Sequence, residues 1–339
     1  MSTLLERLTT GPLGEAWRAR PLTVIDIGAR HGVQPRWTPL GDQVRVIAFE
    51  CDEAEHARLA LNGGKNVLYL ATALSRERGE ADFHIAKSAG LSSFLAPNWD
   101  VLRRFPRPER FATVRVIRLK TETLDDQLAA NGVNDVDFLK LDTQGTELAI
   151  LEGARRVLER EALGFEIEVE FLPLYRDQPL FADVDAFARR KGFELVDLRP
   201  TYWKRAAGVE GGGLQGQLVF GDALYLRAPE ALDMVLDAPD LESVERRRAK
   251  VARSLVVVLL YGYVDRAAAL LEAAHGRGLV ERSECDRLLG ILRRHRVRAD
   301  RAPYFRGRGR LAAAALALHD VLKLRTGWSK GVEHLGNEL

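Results

Sequence analysis

From Leu22 to Leu226, short apolar runs of strand length alternate with runs of helical period. That alternation is the pattern of a doubly wound α/β sheet. It predicts strands at Thr23–Ile27, Val44–Glu50, Asn66–Ala73, Asp137–Leu141, Gly164–Phe171 and Phe193–Leu198. Helices are predicted at Glu53–Asn62, Thr123–Ala130, Glu147–Arg160 and Val184–Lys191, the second opened by Thr121 or Thr123 as a cap. Between the third and fourth strands lies an insertion. In it Asp82–Ile85 and Thr113–Leu119 alternate like edge strands around a turn-rich loop, Gly90–Pro108. Leu214–Phe220, a Gly221-Asp222 turn and Ala223–Arg227 read as a hairpin, so the sheet is expected to end in an antiparallel strand.

After Ala228-Pro229 the pattern becomes purely helical, with a helix-turn-helix expected at Leu255–Arg294 about the glycines Gly276 and Gly278. The expected organisation is therefore a helical segment at 1–21, an α/β domain at 22–228 and a basic helical region at 229–339.

In an open parallel sheet, ligands collect at the carboxyl ends of the strands. That rule selects Asp26, Gly28, Gly32 and His31 after the first strand, Glu50 after the second, Ala73 and Ser75 after the third, Asp142 and Gln144 after the fourth, and Glu168 and Glu170 on the fifth. The first two groups form a nucleoside-site layout: a glycine turn admits a ligand close to the backbone, and a carboxylate on the next strand accepts both ribose hydroxyls. The glycines do not spell GxGxxG. Their wider spacing aims fewer amides at a pyrophosphate and suits a nucleoside joined to an amino acid, as in S-adenosylmethionine (SAM). His31, Asp142 and Glu170 are the candidate bases by position, with His31 nearest neutrality by residue type. An Mg²⁺ site among Asp142, Glu170 and Asp222 is compatible with carboxylate chemistry, but no compact ligand motif points to one.

Composition narrows the class further. The 339 residues are 46% hydrophobic, enough for a full core. No apolar window approaches the length of a membrane span; the most apolar, Leu255–Tyr261, soon meets Asp265 and Arg266. Met1–Arg20 has the composition of neither a secretory signal nor a transit peptide. Cys51 and Cys285 show no metal-ligand spacing and fit a reducing compartment, so the expected location is the cytoplasm. The net charge of +2 hides an asymmetry: from Leu241 onward there are 20 Lys and Arg against 11 Asp and Glu, and before it 30 against 37. The run Arg293–Arg310 concentrates the positive charge, which suits an acidic partner or contacts between copies of the chain.

In chain order, VIDIGARHG, AFECD, Ser92-Ser93, TLDD, LDTQGTELAILEGA and EVEFLPLYRDQPLF resemble the FkbM family of SAM-dependent methyltransferases, over about Leu22 to Arg227. The resemblance implies a class I methyltransferase fold with an antiparallel last strand. It also implies methyl transfer from SAM to a hydroxyl of a sugar, a glycan or a polyketide-like acceptor. Gly28 and Gly32 match the family's glycine loop, Glu50 its ribose-binding acid and Asp142 the acid closing its fourth strand; Ser93 is expected beside the cofactor or the acceptor. The chain departs from the family pattern at Cys51, where proline is common, at Gln144, where Glu is usual, and at Arg30-His31 and Pro35-Arg36-Trp37 in the glycine loop. Two other readings stay open at this stage. One is a nicotinamide oxidoreductase of the same fold, opposed by the glycine spacing. The other is a nucleic-acid-binding or scaffold protein with a vestigial methyltransferase domain, motivated by the basic run.

Overall fold

The computed structural model describes residues 7, 10–30, 32–208, 216–237, 241, 243–294, 305–322 and 329–331. Its centre is an eight-stranded sheet made of β1 (Leu22–Ile27), β2 (Val44–Phe49), β3 (Val67–Leu70), β7 (Phe138–Leu141), β8 (Gly164–Glu170), β9 (Phe193–Trp203), β10 (Gln217–Arg227) and β11 (Ser329–Gly331). Their spatial order is β11-β9-β10-β8-β7-β1-β2-β3. Strands β3, β2, β1, β7 and β8 are parallel, and β10 runs antiparallel between β8 and β9. The order reverses between β1 and β7, which opens a crevice at their carboxyl ends. A parallel sheet with both faces covered by helices and an antiparallel strand worked in beside the last one is the class I methyltransferase arrangement. The insertion forms a second, three-stranded sheet of β4 (Ala73–Leu74), β5 (Gly79–Ala86) and β6 (Thr113–Glu122), with β5 and β6 antiparallel.

Alternation along the strands sorts the core into two halves. On one face Ile25, Ile47, Leu139, Phe165 and Ile167 pack under α4 (Leu124–Ala130), α5 (Glu147–Glu152), α6 (Arg155–Arg160) and α7 (Phe181–Arg190). On the other, Val24, Val46, Phe138 and Leu224 share a single hydrophobic cluster with α1 (Pro12–Ala19), α9 (Val244–Leu260), α10 (Val264–Gly276) and α11 (Arg282–Arg294). Helix α2 (Glu53–Asn62) follows β2, and the short helices α3 (Trp99–Leu102) and α8 (Asp233–Leu236) and the helix α12 (Arg308–Leu322) complete the set.

Helices α9, α10 and α11 thus roof one face of the sheet. A buried charge cluster fastens them: Lys250 Nζ on α9 donates to Asp137 Oδ1 at 2.8 Å, Asp135 Oδ1 at 3.0 Å and the Val136 carbonyl at 3.0 Å. Asp137 Oδ2 in turn accepts the Thr23 N–H at 2.8 Å, where β1 begins. At the far end of α9, Tyr261 donates its hydroxyl proton to Glu166 Oε2 of β8 at 2.6 Å, with the Arg36 guanidinium over its ring.

Three elements differ from the sequence reading: the strand expected at Asn66–Ala73 ends at Leu70, with Ala73–Leu74 pairing in the second sheet, and two more differ through a glycine. Gly221-Asp222 is not a turn: β10 runs straight through it, because a Cβ at Gly221 would lie 2.7 Å from the Arg199 carbonyl and only glycine allows that approach of β9. Glu147–Arg160 is two helices, α5 and α6, broken at Gly153, where a Cβ would lie 2.3 Å from the Ser75 carbonyl. The triple glycine Gly211–Gly213 lies outside the described residues.

Candidate active site

Register brings the strand-end residues into one row. Phe49 pairs with Ile27 and Ile27 with Leu141, which pairs with Ile167. The next residue on each strand therefore forms the row Glu50, Gly28, Asp142, Glu168, continued by Asp222 opposite Glu168 and by Arg199 opposite Asp222. A cleft of about 500 Å³ opens over the first three and lies in the size range of small-molecule sites. Gly28, Glu50, Ala73 and Asp142 line it.

Gly28 has φ 81°, and a Cβ there would sit 1.9 Å from the Asp142 carbonyl oxygen. Glycine is thus required by conformation and by space, and its absent side chain leaves the crevice between β1 and β7 open. Its N–H donates to the Phe49 carbonyl at 3.1 Å, closing the turn across β2. Gly32 has φ 84° and closes the following turn by donating to the Ala29 carbonyl; it sits beside Leu59, outside the cleft wall. His31 lies outside the described residues.

Glu50 is 6% exposed, and its Oε1 accepts the Asp52 N–H at 2.9 Å. Burial raises its pKa above the ordinary Glu value. Asp52 caps α2 through the N–H groups of Ala54 and Glu55, and its other oxygen meets Arg30 Nη2 at 2.6 Å. Arg30 thereby joins the cleft wall. Asp26 lies beneath the turn at 1% exposure, with Oδ1 lacking a hydrogen-bond partner and Lys140 Nζ 3.9 Å away. Burial pushes its pKa up to about 6, with Lys140 opposing. Cys51 also lines the cleft; burial pushes its thiol up to about 12, so it is not a thiolate nucleophile at neutral pH.

Asp142 is held from both sides. Lys140 Nζ donates to its Oδ2 at 3.3 Å, Gln144 Nε2 donates to its Oδ1 at 3.1 Å, and the carboxylate stays 38% exposed toward the cleft. Gln144, in the left-handed region at φ 60°, also donates to Glu168 Oε1 at 2.9 Å. An amide can bridge two carboxylates in this way, whereas the Glu usual at this position would add a third negative charge. The Tyr175 hydroxyl lies 3.2 Å from Gln144 Oε1 and 2.9 Å from the Leu91 carbonyl, tying the bridge to the insertion.

Like Gly32 and Asp26, two further expected residues, Ser93 and Glu170, are not in the cleft wall. Ser93 is fully buried: its hydroxyl donates to the Gln144 carbonyl at 2.7 Å and accepts the Leu95 N–H at 3.0 Å, so it braces the loop, and its neighbour Ser92 lines the cleft instead. Glu170 is 3% exposed; burial and the carboxylates of Glu147 and Asp142 raise its pKa well above the usual Glu range, against a hydrogen bond from Gln178. Among the described residues no three His, Cys, Asp or Glu side chains are grouped to hold a metal ion.

The sequence reading missed the far wall: Phe83, Ser88–Leu91, Phe94 and Arg110, all from the insertion. Their only signal was the length of that insertion at the mouth of the sheet.

The fold and the strand-end row define a class I methyltransferase. The Methyltransferase FkbM domain family matches residues 26–195, and the chain belongs to that family. The 2-O-methyltransferase NoeI of Sinorhizobium fredii is 28% identical over 199 residues, covering 56% of this chain and 76% of that protein. Two solved structures are also similar. A methyltransferase FkbM from Methylobacillus flagellatus is 14% identical over 60% of this chain, with a TM-score of 0.33, and the match spans 43% of that longer chain. A SAM-dependent methyltransferase from Aquifex aeolicus is 15% identical over 60% of this chain and 82% of its own, with a TM-score of 0.29.

Proposed function

We propose that this protein is a SAM-dependent O-methyltransferase acting on a hydroxyl of a sugar, a glycan or a glycosylated or polyketide-like small molecule. The observation that carries the proposal is the convergence of Gly28, Glu50 and Asp142 on one cleft, in register across β2, β1 and β7. The residues present fit the cofactor. Glu50 keeps Oε2 for ribose hydroxyls while Oε1 holds the Asp52 amide. The orphaned Asp26 Oδ1 beneath the glycine turn provides a buried negative site for the cofactor's amino group, and Phe49, Leu74, Phe83 and Ile150 give apolar walls for a purine.

SAM supplies an activated methyl group on a sulfonium. The chain's own task is then to place an acceptor oxygen in line and to take its proton. Positioning of this kind is worth about 7–11 kcal/mol in well-oriented reactions. Asp142 accepts the hydroxyl's hydrogen bond and its proton. Lys140 and Gln144 fix the carboxylate's direction, and Ser92 and the Phe94 ring bound the space in front of it. The 2-O-methyltransferase relative supports oxygen as the methylated atom.

The test is transfer of label from methyl-labelled SAM to a panel of saccharides, with the product's methyl position read by mass spectrometry. Transfer by the wild type and its loss in Asp142→Asn are expected, with SAM affinity retained. A chelator is expected to leave turnover intact. Label appearing only on nitrogen acceptors would contradict the proposal.

A further inference from the structure

The loop that carries Gly28 and Gly32 has little of its own to hold it in shape, because glycines at φ 81° and 84° add no side chains to pack. Its exit is held from outside. Gln34 stands just before the 3₁₀ segment Pro35–Gln43, and its Nε2 donates to Glu166 Oε1 on β8 at 3.0 Å. Glu166 is buried, and its other oxygen accepts a hydrogen bond at 2.6 Å from the hydroxyl of Tyr261, the residue that caps α9. Both bonds converge on one carboxylate. The Gln34 backbone N–H meanwhile faces Asp26 beneath the glycine turn and lowers its pKa. Arg36 repeats the connection: its Nη1 donates to the Leu260 carbonyl at 3.1 Å, and its guanidinium stands 4.1 Å from the centre of the Tyr261 ring. The exit of the glycine loop is therefore joined to the end of α9 at Gln34 and again at Arg36. Tyr261 lies outside the family match at residues 26–195, so the brace reaches beyond the shared domain.

We propose that Tyr261, acting through Glu166 and Gln34, is a positioning residue for the cofactor loop, so that α9 sets SAM affinity as well as roofing the sheet. The proposal rests on the reading of the cleft as a SAM site. A buried carboxylate keeps its direction while its oxygens are bonded. Loss of the Tyr261 hydroxyl leaves Glu166 free to turn and Gln34 without a fixed partner, so the loop has to be ordered when SAM arrives, and that ordering subtracts from the binding free energy. A second tyrosine supplies the comparison. Tyr263 donates its hydroxyl to Asp197 Oδ2 at 2.9 Å, a like bond between the same helical region and β9 that does not touch the loop.

The test is titration calorimetry of SAM into the full chain, with melting temperatures, for the wild type, Tyr261→Phe, Gln34→Leu, their double variant and Tyr263→Phe. Tyr261→Phe and Gln34→Leu are each expected to weaken SAM binding about fivefold. Because both break one connection, the double variant is expected to lose about five- to tenfold, short of the roughly 25-fold of independent sites. Tyr263→Phe is expected to lower the melting temperature and to keep the wild-type SAM affinity. Wild-type affinity in Tyr261→Phe, an equal loss in Tyr263→Phe, or a double variant showing the full product of the single losses overturns the inference and leaves the SAM reading standing. A wild type that does not bind SAM overturns both.

Discussion

Asp26 shows at the scale of one residue how a site and stability pull in opposite directions. Its carboxylate is buried with one oxygen lacking a hydrogen bond, and burial pushes its pKa up to about 6 against Lys140. A carboxyl whose folded pKa is raised costs stability above that pKa and ceases to do so as it protonates on acidification. Asp26→Asn is therefore expected to stabilise the ligand-free protein by about 1–3 kcal/mol at pH 8. The advantage should shrink as pH falls through about 6, as read by thermal melts across pH. The same substitution should weaken SAM binding. Gly28→Ala is expected to cost about 3–5 kcal/mol, because the added methyl overlaps the Asp142 carbonyl and the φ is positive; urea unfolding measures it. Gly28, Glu50 and Asp142 were legible in the sequence because strand ends, glycine turns and acids are local signals. Arg30, Phe94 and Arg110 were not, since only the fold of the insertion carries two of them to the cleft and only Asp52 turns the third into its wall.

At the scale of elements, the strands and helices followed from periodicity, and two of the three errors fell on glycines whose role is steric. Gly221 and Gly153 read as breaks or passed unnoticed, because the backbone carbonyl each must admit belongs to a segment distant in sequence. The helices after Pro229 were legible as helices. Their place was not, since nothing local in α9 says that Lys250 finds Asp135 and Asp137 behind β7. Against burial, Lys250 and Arg253 hold the Asp135 pKa below its ordinary value. Lys250→Met leaves those buried carboxylates short of their main partner and is expected to cost about 3–5 kcal/mol by denaturant unfolding.

At the scale of the whole molecule, the charge asymmetry acquires a structural meaning. The basic region roofs the sheet through α9, α10 and α11, whose apolar residues share one cluster with Val24, Val46 and Phe138. A chain ending near Pro229 would expose that face of the sheet. It is expected to aggregate or to melt far below the full chain, as light scattering and calorimetry would show. None of the helices among the described residues is long and apolar enough to cross a membrane. The central claim is that Gly28 and Glu50 hold SAM in the cleft, with Asp142 beside them facing the acceptor. Titration calorimetry of SAM into the wild type and Glu50→Ala tests it most directly. The account predicts saturable one-to-one binding by the wild type and a loss of roughly 1.5–3 kcal/mol in a variant that melts like the wild type. Equal SAM affinity in the two folded proteins would contradict it.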